Sequence, residues 1–140
     1  MSPRIEDLTL GQIVAEWQLP LSRDSLVRYA GASGDFNPIH YRDDVAGEVG
    51  LPGVLAHGML TMGAAGQVAV EWAGGAHRVR DFQVRFTRPV VVDPASGAVL
   101  DVSVKVGGID TEAKTVRLDL TVRFDGNTVL GKAQLLAATD

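Results

Sequence analysis

From residue 116 to 124 the chain alternates without a break: Val116, Leu118, Leu120, Val122 and Phe124 against Arg117, Asp119, Thr121 and Arg123. A strand sends successive side chains to opposite faces, so this segment has one dry face and one wet face. A sheet buried on both sides would not read this way. The pattern predicts an antiparallel sheet whose apolar side packs on something else. The same period recurs in Phe82, Val84 and Phe86, and in Leu100, Val102, Val104 and Val106. Asp125-Gly126-Asn127 supplies a hairpin turn into a further strand over 128–138.

What covers that sheet lies upstream. Residues 58–72, GMLTMGAAGQVAVEW, carry one charge, Glu71, and small residues on several sides. A surface helix would show a polar face, so this one is expected to be enclosed. Gly58, Gly63 and Gly66 each cost up to ~1 kcal/mol against Ala in a helix interior, which predicts another element in close approach. The fold class is therefore α+β, a curved antiparallel sheet wrapped around one long central helix.

The first half adds smaller elements. Ile13, Ala15, Trp17 and Leu19 alternate with Gln12, Val14, Glu16 and Gln18, a short strand. Ser22 reads as a helix N-cap with Leu21 and Leu26 as a hydrophobic staple, the helix burying Leu26, Tyr29 and Ala30 and opening at Gly31. A small helix is expected from near Asp43 to a left-handed stop at Gly50.

Composition removes several functions. The 13 Lys+Arg against 17 Asp+Glu give a net charge of −4, with no basic stripe to neutralise phosphates, so a nucleic-acid partner is not expected. No cysteine means no disulfide framework, thiolate metal site or cysteine nucleophile. The most apolar run, 59–70, is shorter than the ~20 residues of a bilayer span, and the first residues do not read as a secretory signal. Those features predict one domain over 1–140, cytoplasmic, with no membrane partner.

The chemistry concentrates in Ser33-Gly34-Asp35-Phe36-Asn37-Pro38-Ile39-His40. Asp35 and His40 offer a proton acceptor and a proton donor across a loop that Pro38 keeps from becoming helix. Asn37 can bond to backbone or substrate and hold the loop closed. Taken alone, the segment reads first as an ordinary Asp-x-Asn-Pro turn. Ala56-His57-Gly58-Met59 then opens the long helix, whose free N–H groups receive a negatively charged oxygen, such as that of a thioester becoming an enolate. Gly58 serves tight packing as well, and His57 is expected to shape the pocket rather than move a proton. Asp35, His40, His57 and His77 contain no metal-ligand pair at helical i, i+4 spacing, so no metal site is expected. His77 reads as solvated, and Arg85 and Arg88 as a wet face.

In combination, YAGASGDFNPIH (29–40), the following helix with Ala46 and Gly50, AHGMLTMG (56–63) and VRFTRPV (84–90) resemble the MaoC-like, (R)-specific enoyl-thioester hydratases and dehydratases. Within that family the likeness is greatest to the catalytic subunits of mycobacterial 3-hydroxyacyl-carrier-protein dehydratases. The resemblance implies a single hot-dog fold, with Asp35 and His40 as the catalytic dyad and the Gly58 N–H as the oxyanion site. It implies Asn37, His57 and Met59 on the substrate side, no cofactor, and a trans-2-enoyl or (R)-3-hydroxyacyl thioester of coenzyme A or acyl-carrier protein as substrate. A thioesterase and a non-catalytic acyl-binding subunit are the rival readings. One sheet around one helix leaves an open edge, so the chain is expected to pair as a homodimer or with a related hot-dog subunit.

Overall fold

The computed structural model describes residues 2–140. It contains five strands, β1 (Ile13–Leu21), β2 (Val79–Phe86), β3 (Ala98–Asp110), β4 (Thr115–Phe124) and β5 (Asn127–Ala138). Three α-helices, α1 (Arg23–Ser33), α2 (Asp43–Glu48) and α3 (Gly58–Ala73), fall between β1 and β2. The strands form one antiparallel sheet in the order β1-β3-β4-β5-β2. The expected α+β arrangement is present.

The alternating residues of β3 and β4 land on one face as their period requires. Leu100, Val102, Val104 and Val106, together with Val116, Leu118 and Val122, are at most 2% exposed, and they face Ala65, Val68 and Ala69 of α3 in one core. Hydrophobic burial drives this assembly, at ~25 cal/mol per Å² of apolar surface removed from water. The hairpin between β4 and β5 is a two-residue loop, with Phe124 opposite Asn127 and positive φ at both Asp125 and Gly126.

Two local expectations are corrected. α1 does not open at Gly31 but runs through it to Ser33, where Gly34 caps it at φ 77°, a left-handed conformation glycine adopts without a Cβ penalty. Its start is the predicted one: the Ser22 side chain accepts from the Ser25 N–H, and the Ser25 hydroxyl accepts from the Ser22 N–H. α3, in turn, is covered on one side only. Met59, Gly63, Gln67 and Glu71, four residues apart, form an exposed stripe. A single sheet layer reaches one face of a helix, and small residues around the whole circumference do not say which face. Gly66 does admit a close neighbour, since a Cβ there would lie 2.6 Å from the Phe82 ring; at Gly63 no atom would stand within 4 Å.

Short non-local hydrogen bonds seat the start of α3. Ala56 N–H donates to Val90 O at 2.9 Å and Val92 N–H to Val54 O at 2.9 Å, so residues 54–56 are strapped to the segment after β2. Arg23 on α1 donates to Val92 O at 2.6 Å and pairs with Asp43 on α2 at 2.8 Å. That guanidinium, above all through its hydrogen bond, holds the Asp43 carboxyl below the usual carboxylate range. One arginine thus joins both flanking helices to the strap. No helix among the described residues is long and apolar enough to cross a membrane.

Candidate active site

The loop after α1 is organised by its own short side chains. Asp35 N–H donates to Ser33 Oγ at 3.1 Å, Asn37 N–H to Asp35 Oδ1 at 3.1 Å, and Ile39 N–H to Asn37 Oδ1 at 3.2 Å. These bonds replace the helix ladder that Pro38 forbids and lead into a single 3₁₀ turn, Pro38–His40. Asn37 therefore caps the turn, and its side chain is the device that holds the loop.

The turn delivers His40 against the strand-like segment before α3. Ile39 O accepts from Leu55 N–H at 3.1 Å, and His40 Nδ1 lies 2.7 Å from Leu55 O. A carbonyl oxygen only accepts, so Nδ1 carries the proton and Nε2 is left with the lone pair in the neutral ring. The fold has set the tautomer that a base acting through Nε2 requires.

His57 sits behind both members of the pair. It is 1% exposed, and its ring stacks on His40 with centroids 3.9 Å apart and planes tilted by 22°. The Tyr29 ring meets it edge-on at 4.7 Å. Its Nε2–H donates to the main-chain oxygen of Asp35 at 3.1 Å, while Nδ1 is sealed in with no partner among the described residues. Ring nitrogens and carboxylate of Asp35, His40 and His57 all come within 4.8 Å of one another. The three residue types are those of a metal site. The ring geometry does not fit one: imidazole lone pairs lie in the ring plane, and two nearly parallel stacked rings do not aim them at a shared point ~2 Å away. Both rings are also tied to carbonyl oxygens.

A cavity of about 360 Å³ opens at the N-terminus of α3, lined by His40, Gly58, Thr61, Phe86, Arg88 and Val90 among others. Gly58 is the first residue of α3, where backbone N–H groups have no helical partner. A Cβ on it would lie 3.0 Å from the Phe86 ring, so glycine is what lets that ring close over the helix end. Met59 points to the exposed stripe and does not line the cavity. His77 is exposed in the 3₁₀ turn Ala76–Arg78, well outside the cluster. Arg88 lines the cavity and donates to Thr128 O at 3.1 Å, whereas Arg85 stays on the outer face. Local sequence reasoning missed Thr61 and Phe86 as cavity residues. The i, i+3 spacing of Gly58 and Thr61 was the available signal for the first; Phe86 comes from an edge strand and had none.

With this geometry in hand, comparison with known proteins gives a direct result: the family described as MaoC like domain matches residues 9–126. The chain belongs to the MaoC-like domain family. One similar relative of this MaoC-like chain is the 3-hydroxyacyl-thioester dehydratase X of Mycobacterium tuberculosis, 43% identical over 70 residues, covering 50% of the chain and 24% of the relative. A solved MaoC-like dehydratase superposes with a TM-score of 0.96 at 34% identity, covering 99% of this chain and 43% of that one. The R-hydratase PhaJ1 from Pseudomonas aeruginosa gives a TM-score of 0.79 at 28% identity, covering 98% and 86%. The chain spans about a quarter or less of the length of the curated relatives it matches. The sheet and helix are the hot-dog fold of these structures, with the sheet left open at its edges.

Proposed function

We propose that this MaoC-like chain interconverts trans-2-enoyl and (R)-3-hydroxyacyl thioesters by adding or removing water. The observation that carries the reading is the convergence of Asp35 and His40 beside a cavity that also receives the free helix N-terminus at Gly58.

In hydration a water is held between the Asp35 carboxylate and His40. Its oxygen bonds to C3, one of its protons passes to the dyad, and the dyad places one proton on C2 from the same face. The C2–C3 double bond becomes single, H and OH have been added, and a proton shift within the dyad restores it. In hydration His40 begins with a proton on Nε2 as well as Nδ1 and gives the Nε2 proton to C2 while the Asp35 carboxylate takes one from the water. In dehydration the neutral ring takes the C2 proton back at Nε2 and Asp35 returns its proton to the departing oxygen. As the electron pair moves to the thioester oxygen, the Gly58 N–H and the α3 dipole stabilise the charge. Nothing in these steps calls for a cofactor.

The proposed carriers are coenzyme A or acyl-carrier protein, and the proposed location is the cytoplasm. Asn37, His57 and Met59 are assigned to the substrate side, Asn37 and His57 through the loop they hold and Met59 through any chain that reaches the outer face of α3. The unpaired edges at β1 and β2 and the exposed α3 stripe support pairing, with a second copy or with a related hot-dog subunit.

Incubation with crotonyl-CoA tests the reading. Loss of the enoyl absorbance without thiol release, with the (R)-3-hydroxy product on chiral analysis, is the expected result. Release of free thiol with the double bond intact would identify a thioesterase instead, and binding without turnover would identify an acyl-binding subunit.

A further inference from the structure

Thr61 lies three residues after Gly58 on α3, and both line the cavity that holds His40. Residues three apart share a helix face, and helical side chains lean toward the N-terminus, so Thr61 leans over the first turn. There Gly58 has no side chain of its own, and the Phe86 ring closes the far side. Thr61 is buried, at 3% exposure. A helical threonine ordinarily returns its hydroxyl proton to the carbonyl one turn back. That carbonyl, His57 O, accepts the Thr61 backbone N–H at 3.1 Å as in any helix and has a second lone pair to offer, yet among the described residues the Thr61 hydroxyl makes no hydrogen bond.

Among the described residues three buried polar side-chain atoms are sealed in without a partner, His57 Nδ1, Arg78 Nε and Thr139 Oγ1. Thr61 Oγ1 is not one of them, so it keeps contact with the space in front of it, and that space is the cavity. A hydroxyl that faces a cavity is free to donate to whatever oxygen occupies it. The acceptor that the site brings to this position is the oxygen held at the Gly58 N–H.

We infer that Thr61 is a catalytic residue, a second donor to the thioester oxygen acting beside the Gly58 N–H. The inference rests on the hydratase reading above. The hydroxyl keeps its proton throughout; it donates a hydrogen bond that strengthens as negative charge grows on the oxygen.

Thr61→Val keeps the shape and removes the hydroxyl, and Thr61→Ser keeps the hydroxyl and trims the methyl. Each full-length variant is assayed with crotonyl-CoA and melted. Thr61→Val is expected to lower kcat and kcat/KM together by about ten- to a hundredfold, with KM little changed. Its melting temperature should stay close to that of the wild type, since the hydroxyl faces the cavity and bonds to nothing in the fold. Thr61→Ser should recover most of the rate. Wild-type kcat in Thr61→Val, an effect on KM alone, or parallel losses of rate and melting temperature in both variants would each overturn the assignment. A wild-type protein that hydrates no enoyl thioester removes the hydratase reading and this one with it, and that outcome is recognised before any variant is made.

Discussion

The His57 imidazole donates from Nε2 to the main-chain oxygen of Asp35, 3.1 Å away and 22 residues earlier, while the face of the same ring lies 3.9 Å from His40. One buried side chain therefore positions the Asp35 loop through its edge and the His40 ring through its face. His57→Phe keeps the ring and loses the donor. It is expected to lower kcat by about fivefold, in line with one lost hydrogen bond of ~1 kcal/mol, with KM little changed. Hydrogen exchange across residues 35–40 should quicken in the same variant; unaltered exchange together with unaltered kcat would show that the bond does not hold the loop.

Asp35→Asn and His40→Gln should each reduce hydration of crotonyl-CoA by ~10²–10⁴-fold, the usual contribution of general acid–base assistance. Asp35 is exposed and His40 half-buried, so melting temperatures should move little. Steady-state rates across several enoyl chain lengths check the pair. Near-native turnover in both variants would dismiss the mechanism.

Two glycines of α3 are predicted to respond differently to alanine. At Gly66 the new Cβ would stand 2.6 Å from the half-buried Phe82 ring inside the sheet–helix contact. Overpacking of this kind costs ~1–3 kcal/mol, more than the ~1 kcal/mol that alanine returns as helix propensity. Gly58→Ala would press on Phe86, which is 55% exposed and free to turn away. The Gly66 variant should lose stability to chemical denaturation, while the Gly58 variant should lose activity first. Phe86→Ala placed on top of Gly58→Ala should return part of that activity.

Acid should loosen the 93–97 turn that follows the strap. The Asp93 carboxyl is held below the usual carboxylate range, first by the Ser96 N–H and then by the Ala95 N–H, each 2.8 Å from Oδ1. A depressed folded value means the stabilisation is present above the unfolded value and is lost as pH falls through the folded one. Denaturation midpoints should therefore drop on acidification below the ordinary Asp range. Asp93→Asn should lower the midpoint at neutral pH and flatten that acid limb, which urea titrations at several pH values will show.

The separate parts of this protein were legible at short range. Alternation over 116–124 specified which side chains of β4 are dry, Ser22 specified where α1 begins, and Asp125-Gly126 specified the hairpin turn. Asp35, Asn37 and His40 were visible as a loop carrying two titratable groups, because the side-chain bonds within it each span two residues. The end of α1 was misread at Gly31 because a glycine inside a helix and a glycine after one look alike until the cap geometry at Gly34 is known.

What only the tertiary structure decided is everything that depends on a partner distant in sequence. The order β1-β3-β4-β5-β2 puts β2 at an edge and carries Phe86 to the N-terminus of α3. The strap from 54–56 to 90–92 aims that helix end, and the Leu55 carbonyl selects the His40 tautomer. Small residues on all sides of α3 left its exposed stripe undetermined, since one sheet covers one face and the choice of face is made by packing. Local periodicity fixes the direction of a side chain relative to its own backbone; which atoms it then meets is set by the balance of burial and non-local hydrogen bonding across the whole fold.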